Sequence, residues 1–425
     1  MVDARLDGAV NATRRNAALA WLVTIALASF AVAHGLSGSY RWFAFTGFAV
    51  LVVVLPAASF RDPRVMPPWE LLVLVVLPVA DATLLGTSPL TTIGVYVAVA
   101  AIALVATVEI DRFTAVRMNH AFAIGLVVLT TLAVAGAWNV AQWLSDALLG
   151  TEYILDGRSQ DAANHALMVD FAYAAFAGLF AGVLFDRYFR TYAESTSDRT
   201  PAPRETSPDA EPDPVPTLIR DRLDAPERTV RVLSRAMQVA LAVILLYGLL
   251  SRDLTTVVNA AIALSITFLP AVLERDARLP LEPGLVFWLT AAVFLHALGS
   301  AGLYGMIGPW DSLTHTVSAS IVAAAGYAVV RAIDLHTDEI YVPPTMLFAF
   351  ILVFVLAFGV LWELMEFAID WSAGELGLQA VVAQHGVDDT IVDLVYDVVG
   401  AVVAAIWGSF YLTDLSERIA GQLEA

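Results

Sequence analysis

The sequence has no cysteine, which removes disulfides, thiolate metal ligands and cysteine nucleophiles from consideration. It has no lysine either. All 23 basic residues are arginine, set against 41 acids, for a formal charge of -18. So strong an acidic excess keeps exposed surface hydrated and argues against nucleic-acid partners, whose phosphates need neutralising cations. Salt-loving archaea carry compositions of this kind, so many of the exposed acids read as salt adaptation. Charged residues are nonetheless scarce overall, at 15%, while 59% of positions are hydrophobic and mean hydropathy is +0.72. Ordinary soluble domains are nearer half apolar and a quarter charged. No room is left for a sizeable soluble domain. No cleavable signal peptide is read either, because the first apolar run is long enough to span and no small-residue cleavage pattern follows it.

The apolar residues fall into about twelve runs, most close to the roughly 20 residues that cross a bilayer core. They lie near 16–35, 42–59, 69–86, 89–108, 119–146 and 164–185, then near 233–250, 255–273, 284–304, 312–332, 345–371 and 390–412. The expected fold is an all-α polytopic membrane protein of the cell membrane. With the N-terminus in the cytoplasm, only Arg41, Arg158 and Arg252 fall outside, which satisfies the positive-inside rule and makes both termini cytoplasmic.

The halves repeat each other. Arg5-Leu6-Asp7 recurs as Arg222-Leu223-Asp224. Leu55-Pro56 with Arg61-Asp62 and Arg64 recurs as Leu269-Pro270 with Arg275-Asp276 and Arg278. Ile110-Asp111 matches Ile333-Asp334, Trp138 matches Trp362, Asp146 matches Asp370, and Asp170 matches Asp397. An even helix count per copy keeps both copies in one direction, giving two parallel six-helix repeats. The first repeat is read as 1–186 and the second as 232–425. Between them, 187–231 carries seven prolines among Ser, Thr, Asp, Glu and Arg, a composition that cannot bury enough apolar surface to fold. It is read as a cytoplasmic linker. Pro56 and Pro270 are expected simply to end their helices.

Ionisable groups are expensive within a membrane and usually face a bundle interior. The second half concentrates them. Asp311 and His315 are four apart. Glu363, Glu366 and Asp370 share one helix, and Asp389, Asp393 and Asp397 form an i, i+4, i+8 row on the next. Spacings of three and four place each set on one helix face. The helical rise of about 1.5 Å per residue brings His296, His315, Glu363, Glu366, Asp393 and Asp397 to one level in the outer half of the bilayer. The first half has Ser and Thr in place of Asp311 and His315, and Asn139 and Gln142 opposite Glu363 and Glu366. Only Asp146 and Asp170 remain there, so one centre is expected, in the second half.

Three motifs carry a family resemblance: Asp311-Ser312-Leu313-Thr314-His315, Trp362-Glu363-Leu364-Met365-Glu366-Phe367-Ala368-Ile369-Asp370, and Asp389 through Gly400, with His296-Ala297-Leu298-Gly299 upstream. With these the second half resembles the YjdF-like group of small multi-pass membrane proteins and, more distantly, the VanZ-like family. The likeness covers about 280–412, with a degraded echo at about 66–185. It implies a fold and no settled activity.

The residues leave three functions open. The plainest is a scaffold that binds membrane or lipid and has an outward-facing acidic and histidine cavity, with membrane lipids as its partners. The second is a membrane-embedded metal-dependent hydrolase or lipid-processing enzyme. There Asp311, His315, Glu366, Asp393 and Asp397 are the candidate ligands for Zn or Mn, and Glu363 and Glu366 the candidate catalytic acids. The third is an ion-coupled transporter, against which the acids stand at the outer level rather than the midplane.

Overall fold

A computed structural model of the protein describes residues 2–86, 89–193, 227–276, 283–336, 339–375, 377 and 386–411. The elements are helices: α1 (Val2–Leu36), α2 (Tyr40–Phe60), α3 (Trp69–Leu85), α4 (Pro89–Phe113), α5 (His120–Leu149), α6 (Gln160–Ala193), α7 (Glu227–Ser251), α8 (Leu254–Ile266), α9 (Leu269–Asp276), α10 (Pro283–Leu298), α11 (Tyr304–Met306), α12 (Trp310–His336), α13 (Pro344–Glu375) and α14 (Val387–Tyr411). A π-helical turn, Gly299–Leu303, links α10 to α11. Among the described residues β pairing is confined to a single bridge between Arg117 and Tyr341. Ten helical stretches among the described residues are long and apolar enough to cross a membrane. In hydrocarbon a chain satisfies its backbone polar groups internally, and a helix does so within one segment. Large apolar side chains accordingly point outward, as Leu22, Leu51, Phe176 and Phe180 do.

The chain forms two compact units that interleave along the sequence. One comprises 1–138, 169–197 and 339–343; the other comprises 139–168, 198–338 and 344–425. Most of the linker, 194–226, lies outside the described residues, as do Arg278 and the recurrent Arg222-Leu223-Asp224. The ends assigned to the linker, 187–193 and 227–231, are helical instead, extending α6 and α7.

The first unit packs α1 on α2 and α3 on α4 around Ala20, Ala49, Val53, Val75, Val79 and Val105. Its polar interior is sparse. His34 Nε2 meets Thr83 Oγ1 at 2.9 Å, and the His34 ring stacks on Trp42 at 5.7 Å.

In the second unit α12 and α14 form the most extensive helix pair. Gly400 permits this approach, because a Cβ there would meet the Thr316 carbonyl oxygen, Ala319 and Ser320. Small residues of this kind let membrane helices close to backbone distance. Gly359 does the same between α13 and α14, where a Cβ would meet Asp397 Oδ2 and Leu394.

The prolines differ from expectation. Pro56 is buried inside α2, which ends only at Arg61 in a left-handed conformation (φ 51°). Pro270 sits in the first turn of α9. There its missing N–H costs nothing, since that donor has no helical partner.

Candidate functional site

The site belongs to the second unit and begins with α12. Trp310 Nε1 donates to the Leu295 carbonyl at 3.0 Å, which ties the start of α12 to α10. One turn on, Asp311 and His315 share a face. From α14, Asp393 and Asp397 reach the same imidazole from positions four apart. His315 Nδ1 lies 3.2 Å from Asp397 Oδ1. His315 Nε2 lies 3.7 Å from Asp393 Oδ2 and 3.8 Å from Asp311 Oδ1. Asp393 and Asp397 are buried, and the Asp311 side chain keeps 31% exposure.

These distances give the two ring nitrogens different roles. Nδ1 is within hydrogen-bond range of Asp397, and in the tautomer that carries its proton on Nδ1 the ring donates to that carboxylate. A neutral imidazole held this way presents a lone pair at Nε2. That lone pair faces two carboxylate oxygens beyond hydrogen-bond range. Three electron-rich groups converge on one point, and only a proton or a cation there makes the arrangement favourable.

Ligand atoms from Asp311, His315 and Asp393 all lie within 4.8 Å of one another, close enough to share one metal ion. Tetrahedral bonds of about 2.0–2.2 Å would set ligand atoms roughly 3.3–3.6 Å apart, a few tenths of an ångström inside the 3.7 and 3.8 Å gaps from His315. Were an ion held there, Asp397 would take the outer position behind the histidine, orienting the ring.

Glu366 and Glu363 come from α13. Glu366 Oε1 accepts from Trp362 Nε1 at 2.9 Å. Trp362 thus positions a carboxylate through its indole N–H. Glu363 is almost fully buried. Its Oε2 lies 3.1 Å from Thr390 Oγ1, and Thr390 Oγ1 lies 3.1 Å from Asn164 Oδ1. One hydroxyl proton serves one of these contacts. The other needs the Asn164 amide N–H turned toward Thr390, or a proton on Glu363.

The structure therefore brings Asp311, His315, Asp393 and Asp397 together around one ring, with Glu366 and Glu363 beside them. Asp389 is half-buried nearer the end of the row, and Asp370 is also half-buried. Asp146, matched in sequence to Asp370, instead organises a loop. It accepts from Thr151 Oγ1 at 2.6 Å and from the Tyr153 and Ile154 amides at 2.8 Å each.

Several contributing residues were not singled out from sequence. Tyr304 OH reaches His296 Nδ1 at 2.8 Å. It does so because the π turn folds its ring onto Gly299, where a Cβ would collide with it; π turns of this kind recur at functional sites. The His-x-x-Gly spacing of His296 and Gly299 was the only trace of this. Gln160 pairs twice with Asp388, donating from Nε2 at 2.6 Å and accepting the backbone N–H at 3.1 Å. Trp143 Nε1 donates to the other Asp388 oxygen at 3.0 Å. These residues come from the first half of the sequence, where no pattern links them to α14.

Beside the ring lies a cavity of about 400 Å³ bordered by α8, α10, α12 and α13. His296, Thr314, His315 and Asp397 supply polar atoms to its lining.

Apolar helices long enough to cross a bilayer, enclosing a histidine–carboxylate centre, define a multi-pass membrane protein. Residues 232–414 match the family described as predicted membrane protein (DUF2238), and the chain belongs to that family. Residues 4–66 match a domain of unknown function (DUF8268). An uncharacterized protein of Thermotoga maritima is 31% identical over 141 residues, covering 32% of this chain and 68% of the relative. No solved structure matches.

Proposed function

We propose that the second unit holds a divalent transition-metal ion on Asp311, His315 and Asp393 and uses it for hydrolytic chemistry. One observation carries this reading: Nε2 of His315, its other nitrogen committed to Asp397, faces Asp393 and Asp311 oxygens at 3.7 and 3.8 Å. Imidazole with carboxylates suits zinc or manganese. Three protein ligands with an open position are the pattern of catalytic rather than structural zinc sites. A bound ion would supply a nucleophilic water at neutral pH. Glu366, held by Trp362, would be the carboxylate to take that water's proton, and Glu363 lies on the same helix.

Metal analysis of the purified protein tests this. Near one zinc or manganese per chain is expected. His315→Ala and Asp393→Asn should each abolish it while the protein elutes as a folded species with unchanged helix content. Absence of metal from protein purified without chelators would overturn the reading and leave the acids as parts of a scaffold.

We also read the chain as twelve crossings in two parallel six-helix repeats. Support comes from α3 and α14, which fill the remaining apolar runs. It comes also from the Thermotoga relative, of which 141 residues are 68%, making it roughly half as long as this chain. The YjdF-like resemblance rests on the motifs that build the site. The arginine distribution supports cytoplasmic termini and a centre in the outer half of the bilayer.

A further inference from the structure

We infer that the substrate of this centre is a membrane lipid, which enters sideways between α8 and α13 and lays a hydrocarbon chain in the cavity beside His315. This rests on the hydrolytic reading above and names its substrate class.

Most of the cavity wall is a fence of four helices, with Asp397 of α14 closing one side. α8 packs on α10, α10 on α12 and α12 on α13, whereas α8 and α13 do not pack closely on each other. The gap between them carries cavity-lining side chains that also face outward: Ile262 of α8 is 55% exposed, and Phe358 and Met365 of α13 are 44% and 43% exposed. These helices lie within segments fit to cross a membrane, so what meets their exposed apolar side chains is acyl chain. The cavity is continuous with that surface.

Its shape and chemistry fit one chain with a polar end. The lining runs along α13 from Val355 to Ile369, a length of about 21 Å at 1.5 Å per residue. Far from the ring the walls are apolar, with Ile266, Leu289, Val322 and Val355. Near the ring they carry His296, Thr314, His315 and Asp397. A volume of about 400 Å³ lies within the usual range of small-molecule sites. Apolar walls favour hydrocarbon, since burying methylenes out of water is favourable. A water-soluble substrate would gain nothing from them.

The test uses full-length protein in vesicles containing a phosphatidylglycerol with a diazirine midway along its acyl chain. After irradiation, labelled residues are mapped by mass spectrometry, and metal content is measured on the same samples. Labels are expected on Ala292, Ala319 and Val355, which are buried yet line the cavity. Val322→Phe fills the apolar end and should cut those labels at least five-fold, leaving labels on outward residues such as Leu250 and leaving metal content unchanged. Val322→Leu, a milder filling, should cut them partially and covers the case in which the larger side chain prevents folding. Labels confined to outward residues, or cavity labels indifferent to both substitutions, would overturn the inference. Because the labelling needs no metal, loss of metal with cavity labels intact would sink the hydrolytic reading alone.

Discussion

A single imidazole shows how the two nitrogens of one residue divide the work. Asp397 on Nδ1 sets the ring's tautomer and angle, and Asp311 and Asp393 share the space at Nε2. Removing the orienting carboxylate should therefore hurt less than removing a ligand. Asp397→Asn keeps an oxygen for the Nδ1 proton, and loss of such an orienting partner usually costs about 10–100-fold in metal affinity. His315→Ala should cost far more. Glu366→Gln should leave affinity near the wild-type value while abolishing turnover. Competition against a chromophoric chelator measures all three, and equal losses for Asp397→Asn and His315→Ala would contradict the division of roles. Protons compete with the ion for the same lone pairs, so retention must weaken as pH falls and never as it rises. That these carboxylates gather at His315 was legible in sequence, because a four-residue spacing fixes a shared helix face. The nitrogen each carboxylate addresses was not legible, since it depends on how α12 and α14 are rotated. Nor was the hydrogen bond from Trp362 to Glu366, because an indole on an apolar helix reads first as packing.

At the scale of helices, the positions of the elements followed from a demand that allows few answers: backbone polar groups in hydrocarbon pair within the segment. The run read at 345–371 is the core of α13, Pro344–Glu375, and the run at 255–273 spans α8 and α9. The interruption between α8 and α9 and the π turn after α10 were not read. The second depends on Tyr304 folding back onto Gly299, a contact between residues five apart that no apolar period announces. Glycines at helix crossings were equally silent, yet they set how close the site's helices come. Gly359→Ala is expected to push Asp397 away from His315, because the added methyl would occupy the space of Oδ2. Overpacking of this kind costs about 1–3 kcal/mol. Thermal unfolding should therefore shift downward, and metal affinity should fall as it does in Asp397→Asn. Gly374→Ala, on the same helix with open space around the glycine, is the control. Equal behaviour of the two variants would show that the crossing is not tight.

For the molecule as a whole, the distribution of arginine is the strongest constraint on orientation. A membrane protein is sorted by positive charge in its short loops, and acids contribute little to that sorting. The excess of 41 acids over 23 arginines therefore does not obscure the signal. Arg61, Arg64, Arg112, Arg117 and Arg275 follow even-numbered crossings when twelve are counted, and Arg331 lies at the inner end of one. A miscount by one would transfer every later arginine to the other face. Orientation and helix number thus stand or fall together, and one measurement addresses both. Single cysteines can be placed without background in a chain that has none. Ser37→Cys, in the turn after α1, should react with a membrane-impermeant maleimide in intact cells. So should Gly150→Cys, in the loop after α5. Ser207→Cys in the linker and Thr114→Cys after α4 should react only once the cells are opened. Labelling of Ser207→Cys from outside would invert the protein and put the His315 centre on the cytoplasmic side. Labelling of Ser37→Cys and Thr114→Cys from the same side would leave an even number of crossings between them. That would break the count of three on which the parallel repeats depend.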